Sequence, residues 1–258
     1  MTLLITGASS GIGKAAAALF AERGYQVFDL SRRGTIPCDV TDEASVQRAV
    51  AEVMRRTDHI DVLILNAGFG ISGPAECTPI ADVRTQMDVN FTGAVAVVQQ
   101  VLPNMRQRRQ GRIIFTSSVA AILPIPYQSF YSASKAAINA FALALQNEVR
   151  DYGIHVSVLM PGDVQTGFTA ARKKVQLSTL NTQLSTPYPH VEQAVAAMER
   201  DEQRGLTPQA MARCLYRIAT ARHPRPQYIG GTEYHLFAFL QWLLPTRFVN
   251  YIVGKLYS

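Results

Sequence analysis

The 258-residue sequence is poor in cysteine and histidine, with three cysteines and five histidines. Cys38, Cys77 and Cys214 are odd in number and far apart, so they indicate neither a disulfide framework nor a zinc knuckle. The histidines show no metal-ligand spacing, and no metal site is expected. With this cysteine usage, a reducing, cytoplasmic location is the expectation.

Long hydrophobic runs are also missing. The opening MTLLIT is too short for the apolar region of a signal peptide and lacks a basic segment before it. The late run LFAFLQWLL at 236–244 is too short to span a bilayer. A soluble protein is expected, although the late run could make a peripheral contact with a membrane surface.

Charge is modest, with 17% charged residues, 48% apolar residues and a net charge of +6. This composition excludes a disordered chain and a coiled coil. The basic residues fall in separate clusters at 32–33, 106–112 and 172–174, and no aromatic residues are interleaved with them. Since no nucleic-acid motif is present, a solvated surface is favoured over a nucleic-acid partner.

Nearly continuous apolar runs alternate with helical segments along the chain. Strands are predicted at TLLIT, YQVFDL, DVLILNAG, GRIIFTSS and IHVSVLMPG. This alternation predicts an α/β fold, a Rossmann-type doubly wound parallel sheet with helices on both faces. Because no linker or repeat appears, residues 1–258 are expected to form one domain.

Two stretches interrupt the alternation. Between DLSRR and TIPCDV there is room only for a tight turn, so the usual crossover helix is expected to be missing. Residues 167–205 follow a predicted strand at the edge where open α/β sheets bind ligands, and a helical flap over the site is predicted there. Thr207-Pro208 then begins a helix, PQYIGG forms a last strand, and an apolar tail spans about 232–258.

Two short motifs carry chemistry. TGASSGIG at 6–13 joins a strand to a helix, and glycines there permit a tight turn and close approach of backbone amides to a pyrophosphate. YSASK at 131–135 places Tyr131 and Lys135 one helical turn apart on the same face. Alone, the first motif could be an ordinary turn and the second a surface pair.

The two motifs occur in order along the chain with Asp39-Val40, Asn66-Ala67-Gly68, Asn90, Ser118 and Pro161-Gly162. The combination favours a functional interpretation over an ordinary turn and a surface pair. The sequence resembles the classical short-chain dehydrogenases/reductases, near the hydroxysteroid and retinol dehydrogenase branch, over roughly residues 2–166. Leu65 departs from the pattern, since many members have a second asparagine there.

The resemblance implies a catalytic set of Asn90, Ser118, Tyr131 and Lys135. Tyr131 is expected to exchange a proton with the carbonyl or alcohol oxygen, Ser118 to hydrogen-bond that oxygen, and Asn90 to hold a water on Lys135. A free phenol is a poor base at neutral pH. The Lys135 cation is therefore expected to lower the pKa of Tyr131.

The resemblance also implies a dinucleotide site. Its expected residues are Gly7, Ser9, Ser10, Gly11, Ile12, Gly13, Ser31, Arg32, Arg33, Asp39, Val40, Asn66, Ala67, Gly68, Tyr131, Lys135, Pro161, Gly162, Val164 and Thr166.

The cofactor preference is predicted from the residues after the second strand. NAD-selective sites place an acid there for the ribose 2′-hydroxyl. This chain has Ser31, Arg32 and Arg33, which with Ser9 could hold a 2′-phosphate. Asp29 is the competing acid, although it lies two residues early. NADP(H) is therefore favoured, with NAD(H) as the alternative.

The expected function is an NADP(H)-dependent oxidoreductase that interconverts a carbonyl and an alcohol on a lipophilic small molecule. The alternatives are a ketoacyl reductase acting on carrier-bound chains, for which the basic cluster 172–174 would serve, and a catalytically idle NADPH-binding sensor or scaffold. The family implies a homodimer or homotetramer.

Overall fold

A computed structural model describes residues 1–175 and 188–257. Within them, the main sheet has seven parallel strands in the order β3-β2-β1-β4-β6-β7-β9. The strands are β1 (Thr2–Thr6), β2 (Gln26–Ser31), β3 (Ile36–Pro37), β4 (Val62–Leu65), β6 (Gly111–Thr116), β7 (Ile154–Pro161) and β9 (Gln227–Gly230). A second sheet of two strands pairs β5 (Ile71–Ser72) with β8 (Lys173–Lys174). The strand order reverses between β1 and β4, which creates a crevice at their carboxyl ends.

Helices cover both faces of the main sheet. They are α1 (Gly11–Glu22), α2 (Glu43–Arg56), α3 (Ile80–Met87), α4 (Gly93–Arg108), α5 (Ser129–Val149), α6 (Phe168–Ala171), α7 (Val191–Arg204), α8 (Pro208–Thr220), α9 (Thr232–Leu243) and α10 (Thr246–Leu256).

The two faces of the sheet bury separate hydrophobic cores. Leu3 and Ile5 of β1 pack on the side of α1 and α8, whereas Leu4 packs on the side of α2, α4 and α5. Successive residues of a strand point to opposite faces, so a strand buried on both sides must be apolar at every position. The predicted doubly wound α/β fold is confirmed.

The connection between β2 and β3 is as short as expected. The N–H of Gly34 donates to the carbonyl of Ser31, and β3 pairs in parallel with β2 directly after this turn. No helix lies between these two strands. The edge strand β3 therefore follows β2 after a tight turn, without a crossover helix.

The predicted flap at 167–205 is only partly helical. It contains α6 and α7, but Lys173–Lys174 form a strand that pairs with Ile71–Ser72, so a purely helical reading is wrong. The flap's residues 176–187 lie outside the described part of the chain. After the flap, Thr207 caps α8 through its side-chain oxygen and Pro208 occupies the first turn, as predicted.

The apolar tail folds into two helices, α9 and α10, joined through Pro245. In the described part of the chain, no helix has the length and hydropathy needed to cross a membrane.

Candidate active site

A cavity of about 1220 Å³ opens at the carboxyl ends of the central strands. It is larger than the ~300–1,000 Å³ of typical small-molecule pockets, so it has room for two ligands side by side. Every residue predicted to bind the cofactor or to take part in catalysis lines this cavity, except Gly13 and Asn90. Gly13 lies beneath the glycine-rich loop, and Asn90 lies behind the cavity wall.

The glycine-rich loop is held tightly against the neighbouring strand. Gly7 has a φ of +69°, which a residue with a side chain rarely adopts. A Cβ at Gly13 would lie 2.4 Å from the carbonyl oxygen of Gly7 and 2.5 Å from the Nδ2 of Asn66. That Nδ2 donates to the Gly7 carbonyl, and the Thr6 hydroxyl accepts from the backbone N–H groups of Asn66 and Ala67. The TGASSGIG and NAG motifs therefore form one structure.

The start of α1 fits a diphosphate. Ser10 is the N-cap, and its side chain caps none of the N–H groups of the first turn. Gly11 and Ile12 line the cavity at this point, and no acidic residue lies in the first turn. Free amide groups at a helix N-terminus attract anions. The residues present therefore fit the phosphate-bearing part of a nicotinamide dinucleotide.

The adenosine end of the cavity is basic. Arg32 and Arg33 are exposed and line the cavity after β2. Asp29 is already engaged, since its carboxylate accepts from the Ala8 N–H and from the Ser31 hydroxyl. The Asp29 carboxylate thus holds the glycine-rich loop, while Arg32 and Arg33 are the exposed basic residues that line the cavity here.

Ser118, Tyr131 and Lys135 meet at the other end of the cavity, at the end of β6 and the first turns of α5. Hydrogen bonding links Ser118 to the Tyr131 hydroxyl. The Lys135 Nζ lies 5.8 Å from the centroid of the Tyr131 ring and donates to the Thr116 carbonyl at 2.9 Å. This arrangement gives one proton donor, one hydrogen-bonding hydroxyl and one cation around a common space.

The expected lowering of the Tyr131 pKa is wrong. Burial raises the pKa of Tyr131 to about 12, although hydrogen bonding with Ser118 acts in the opposite direction. Burial also lowers the pKa of Lys135 to about 8. Loss of water destabilises the charged form of each group, and it is the largest cause of both shifts. At neutral pH the phenol is protonated and is an acid rather than a base.

Asn90 lies in a single turn of π-helix, Asp88–Thr92, between α3 and α4. Its Oδ1 accepts from the Phe69 N–H, and its Nδ2 donates to the Phe69 carbonyl and to the Ser134 hydroxyl. A Cβ placed on Gly68 would be 3.2 Å from this Oδ1 and 3.4 Å from the Lys135 Nζ. The Asn90 amide and the Lys135 ammonium therefore both lie close to Gly68, and no direct hydrogen bond joins them.

Sequence reasoning missed several residues around the catalytic group. Ser134 is fully buried and links Asn90 to the Tyr131 carbonyl, while the Ser117 hydroxyl donates to the Lys135 carbonyl. The Phe168 ring lies 5.5 Å from the Tyr131 ring. The sequence could have indicated the two serines, because each is adjacent to a predicted catalytic residue. No local pattern indicates Phe168.

The C-terminal tail also reaches the site. The Tyr234 ring lies against Gly162, where an added Cβ would be 2.0 Å from it. Its hydroxyl donates to the Asp163 carboxylate and accepts from the Asp163 N–H. Gly162 was expected only as a cofactor-site residue, and the structure shows that the Tyr234 ring packs against it.

Much of the remaining cavity wall is apolar, although Gln128, Asp163, Glu202 and Gln241 also line the cavity. The apolar part is built by the segment after β6, by α6, by α7 and by the two C-terminal helices. The side chains are Leu123, Ile125, Phe168, Met198, Phe237, Leu240, Leu244, Val249, Ile252, Val253 and Leu256. Among residues 1–175 and 188–257, no group of three or more His, Cys, Asp or Glu is placed to hold a metal.

The short chain dehydrogenase family model matches residues 1–176 of this chain. The chain is 35% identical over 265 residues to a 3-ketodihydrosphingosine reductase of Bacteroides thetaiotaomicron, covering 99% of this chain and 97% of the relative. It is 30% identical over 273 residues to an NADPH-dependent 3-dehydrocapnine reductase of Ornithobacterium rhinotracheale, covering 98% and 95%.

Among solved structures, a short-chain dehydrogenase from Streptomyces avermitilis matches with a TM-score of 0.84 at 24% identity, covering 99% of this chain and 94% of that one. A short-chain dehydrogenase from Burkholderia cenocepacia in complex with NADP matches with a TM-score of 0.75 at 19% identity, covering 100% and 97%. At these identities the two structures establish the fold.

The chain belongs to the short-chain dehydrogenase/reductase family. It is an oxidoreductase that acts on CH–OH and C=O groups with a nicotinamide cofactor. The family and reaction class expected from the motifs are therefore confirmed.

Proposed function

We propose that the protein is an NADPH-dependent reductase of a long-chain lipid ketone. The observation that carries this proposal is the apolar wall that runs from Tyr131 to the C-terminal helices. An alkyl chain is stabilised by burial against such a wall, at about 0.8 kcal/mol for each methylene. The reacting carbonyl would lie at Ser118 and Tyr131, the polar end of the same cavity.

We propose the reductive direction, and the protonated state of Tyr131 is consistent with it. Burial raises the pKa of Tyr131 to about 12, so the phenol carries its proton at neutral pH and can donate it to a carbonyl oxygen. Ser118 would hold that oxygen, and Lys135 would stabilise the phenolate that forms. The cofactor, when bound, supplies the hydride to the carbonyl carbon.

The preference for NADPH rests on Arg32 and Arg33. Both arginines line the cavity after β2, and the Asp29 carboxylate already accepts hydrogen bonds from Ala8 and Ser31. A guanidinium is the best side-chain partner for a phosphate, because its charge is permanent and its N–H groups are planar. The Ornithobacterium relative is named as NADPH-dependent, which supports the same preference.

The names of the two relatives support the substrate class. Each describes a reductase of a keto or dehydro compound, and each matches nearly the whole of this chain, tail included. We extend from them only the class of substrate, a ketone borne on a long-chain lipid. The chain is also proposed to form a homodimer or homotetramer and to act in the cytoplasm, as the resemblance and the cysteine usage imply.

The basic cluster at 172–174 does not favour the carrier-bound alternative. Arg172 is buried and paired with Glu202, Lys173 pairs with Asp82, and Lys174 pairs with Glu199. A phosphopantetheine chain needs cations at the pocket mouth that can take up its phosphate. Each cation of this cluster already has a carboxylate, so the cluster supplies little attraction for one.

The substrate class is tested with a series of methyl ketones of increasing alkyl length. With NADPH saturating, kcat/KM is expected to rise about fourfold for each added methylene until the apolar wall is filled. The kcat/KM for each ketone is measured from the consumption of NADPH, followed by absorbance. A series in which kcat/KM does not depend on length would contradict the proposed lipophilic substrate.

A matched pair of leucines on α9 provides the control. Leu240→Asn places an amide in the cavity wall and is expected to lower kcat/KM for the longest ketones while sparing the shortest. Leu243→Asn makes the same change at an exposed position that does not line the cavity, and it is expected to leave all values near wild type. Equal effects of the two substitutions would contradict the claim that the apolar cavity wall binds the alkyl chain of the ketone.

A further inference from the structure

The C-terminal helix pair, α9 and α10, exposes an unusual amount of apolar surface. Apart from Met1, Ile80, Leu143 and Tyr152, every large apolar side chain exposed in the described part of the chain lies on this pair. Six of these side chains are at least half exposed and do not line the cavity: Leu236, Phe239, Trp242, Leu243, Phe248 and Tyr251. Soluble monomers rarely expose so concentrated an apolar surface unless it binds something.

The chemistry of this surface is that of a helix lying at a membrane–water interface. Trp242 is 80% exposed, and tryptophan and tyrosine are the residues enriched at the headgroup level of bilayers. Arg247 and Lys255 are the basic residues of the pair, and Glu233 is its one acid. A helix pair that carries exposed aromatic side chains and a net positive charge suits an anionic lipid surface.

The same surface is continuous with the cavity. Phe237, Ile252 and Leu256 line the cavity, and each is at least 40% exposed to solvent. An apolar path therefore leads from the outer face of the helix pair to the wall beside Tyr131. A second copy of the chain bound to this face would cover the exposed ends of these side chains. A lipid surface would instead contact them and leave the cavity accessible to a lipid.

We propose that the outer face of the α9–α10 pair docks on an anionic lipid surface and that lipid ketones enter the cavity between the two helices. The docking stands on the exposed residues alone. The entry of a lipid ketone rests on the function proposed above. The chain lies on the bilayer rather than across it, since neither helix is long enough to span one.

The position of Trp242 makes the docking directly measurable, because it is the chain's one tryptophan. The full-length protein is titrated with vesicles of phosphatidylcholine, with and without phosphatidylglycerol. The Trp242 emission is expected to shift to the blue and to be quenched by brominated lipid, and the protein is expected to co-sediment with the vesicles. The net positive charge of the pair should make binding about fivefold tighter when phosphatidylglycerol is present.

The variant Phe239→Ser/Tyr251→Ser keeps the Trp242 reporter and leaves the cavity lining intact. Vesicle affinity is expected to fall at least about tenfold for each aromatic side chain removed. Reduction of a short, water-soluble ketone should be unchanged, while reduction of a ketone embedded in vesicles should fall with vesicle affinity. The matched control is Ile80→Ser, which removes an exposed apolar side chain of α3.

Two results would overturn the proposal. The first is an emission spectrum and a sedimentation profile that vesicles do not change. The second is a dimer in buffer whose emission is already blue-shifted and which dissociates in the Phe239→Ser/Tyr251→Ser variant, because the face would then cover a second copy. If vesicles bind as expected but no ketone is reduced, the proposed function fails while the docking stands.

Discussion

Tyr131→Phe is expected to lower turnover about 10²- to 10⁴-fold, the range that general acid catalysis contributes. The substitution removes the proton donor and keeps the aromatic ring, which lies 5.5 Å from the ring of Phe168. NADPH affinity should stay near wild type, because the hydroxyl is needed for the reaction rather than for the packing of the site. Steady-state kinetics and a direct cofactor-binding titration measure the two effects separately.

Tyr25→Phe is the matched control, since Tyr25 packs against Phe20 and Tyr216 away from the cavity. It should have wild-type kinetics. Wild-type turnover in Tyr131→Phe would show that the reaction does not use this hydroxyl. A wild type that binds NADPH but reduces no ketone would favour the alternative of an idle NADPH-binding protein.

Removal of both guanidinium groups, Arg32→Ala/Arg33→Ala, is expected to weaken NADPH binding and to leave NADH binding nearly unchanged. One charge-assisted hydrogen bond to a phosphate is worth about tenfold to a hundredfold in affinity. Because both arginines are exposed, the wild-type preference for NADPH should also shrink as salt is raised. The measurement is kcat/KM for each cofactor in the wild type and the variant.

Arg48→Ala, which removes an exposed arginine of α2 outside the cavity, is the control. A carboxylate introduced at Ser31 would be a poorer test of selectivity. The Ser31 hydroxyl lies 3.0 Å from the Asp29 carboxylate, so a second acid there would be destabilised by repulsion. A wild type that prefers NADH would mean that the two arginines do not bind a phosphate.

Much of the fold and the site follows from local patterns. The apolar runs of β1, β4, β6 and β7 predict a parallel sheet, and the carboxyl ends of parallel strands meet at one edge. That geometry brings Gly7, Asn66, Ser118 and Gly162 together without any knowledge of contacts. Asparagine is unfavourable inside a helix, and the π turn at Asn90 shows how the chain accommodates it.

The features that the sequence did not predict all depend on contacts between distant segments. Tyr234 meets Gly162 and Asp163 some seventy residues earlier in the chain, and Lys173–Lys174 pair with a strand formed by Ile71–Ser72. Neither contact has a local motif. The pKa of Tyr131 was misjudged for a related reason, because burial of the phenol is a property of the whole cavity.

The central claim is that this site delivers a hydride from NADPH and a proton from Tyr131 to the carbonyl of a long-chain lipid ketone. The most direct measurement uses NADPH deuterated at the transferring position of the nicotinamide, together with a long-chain keto lipid, and analyses the product by mass spectrometry. The account predicts a secondary alcohol with a single deuterium on the carbinol carbon, formed by the wild type and nearly absent with Tyr131→Phe. An unchanged ketone in the wild-type reaction, or an alcohol without deuterium at that carbon, would contradict it.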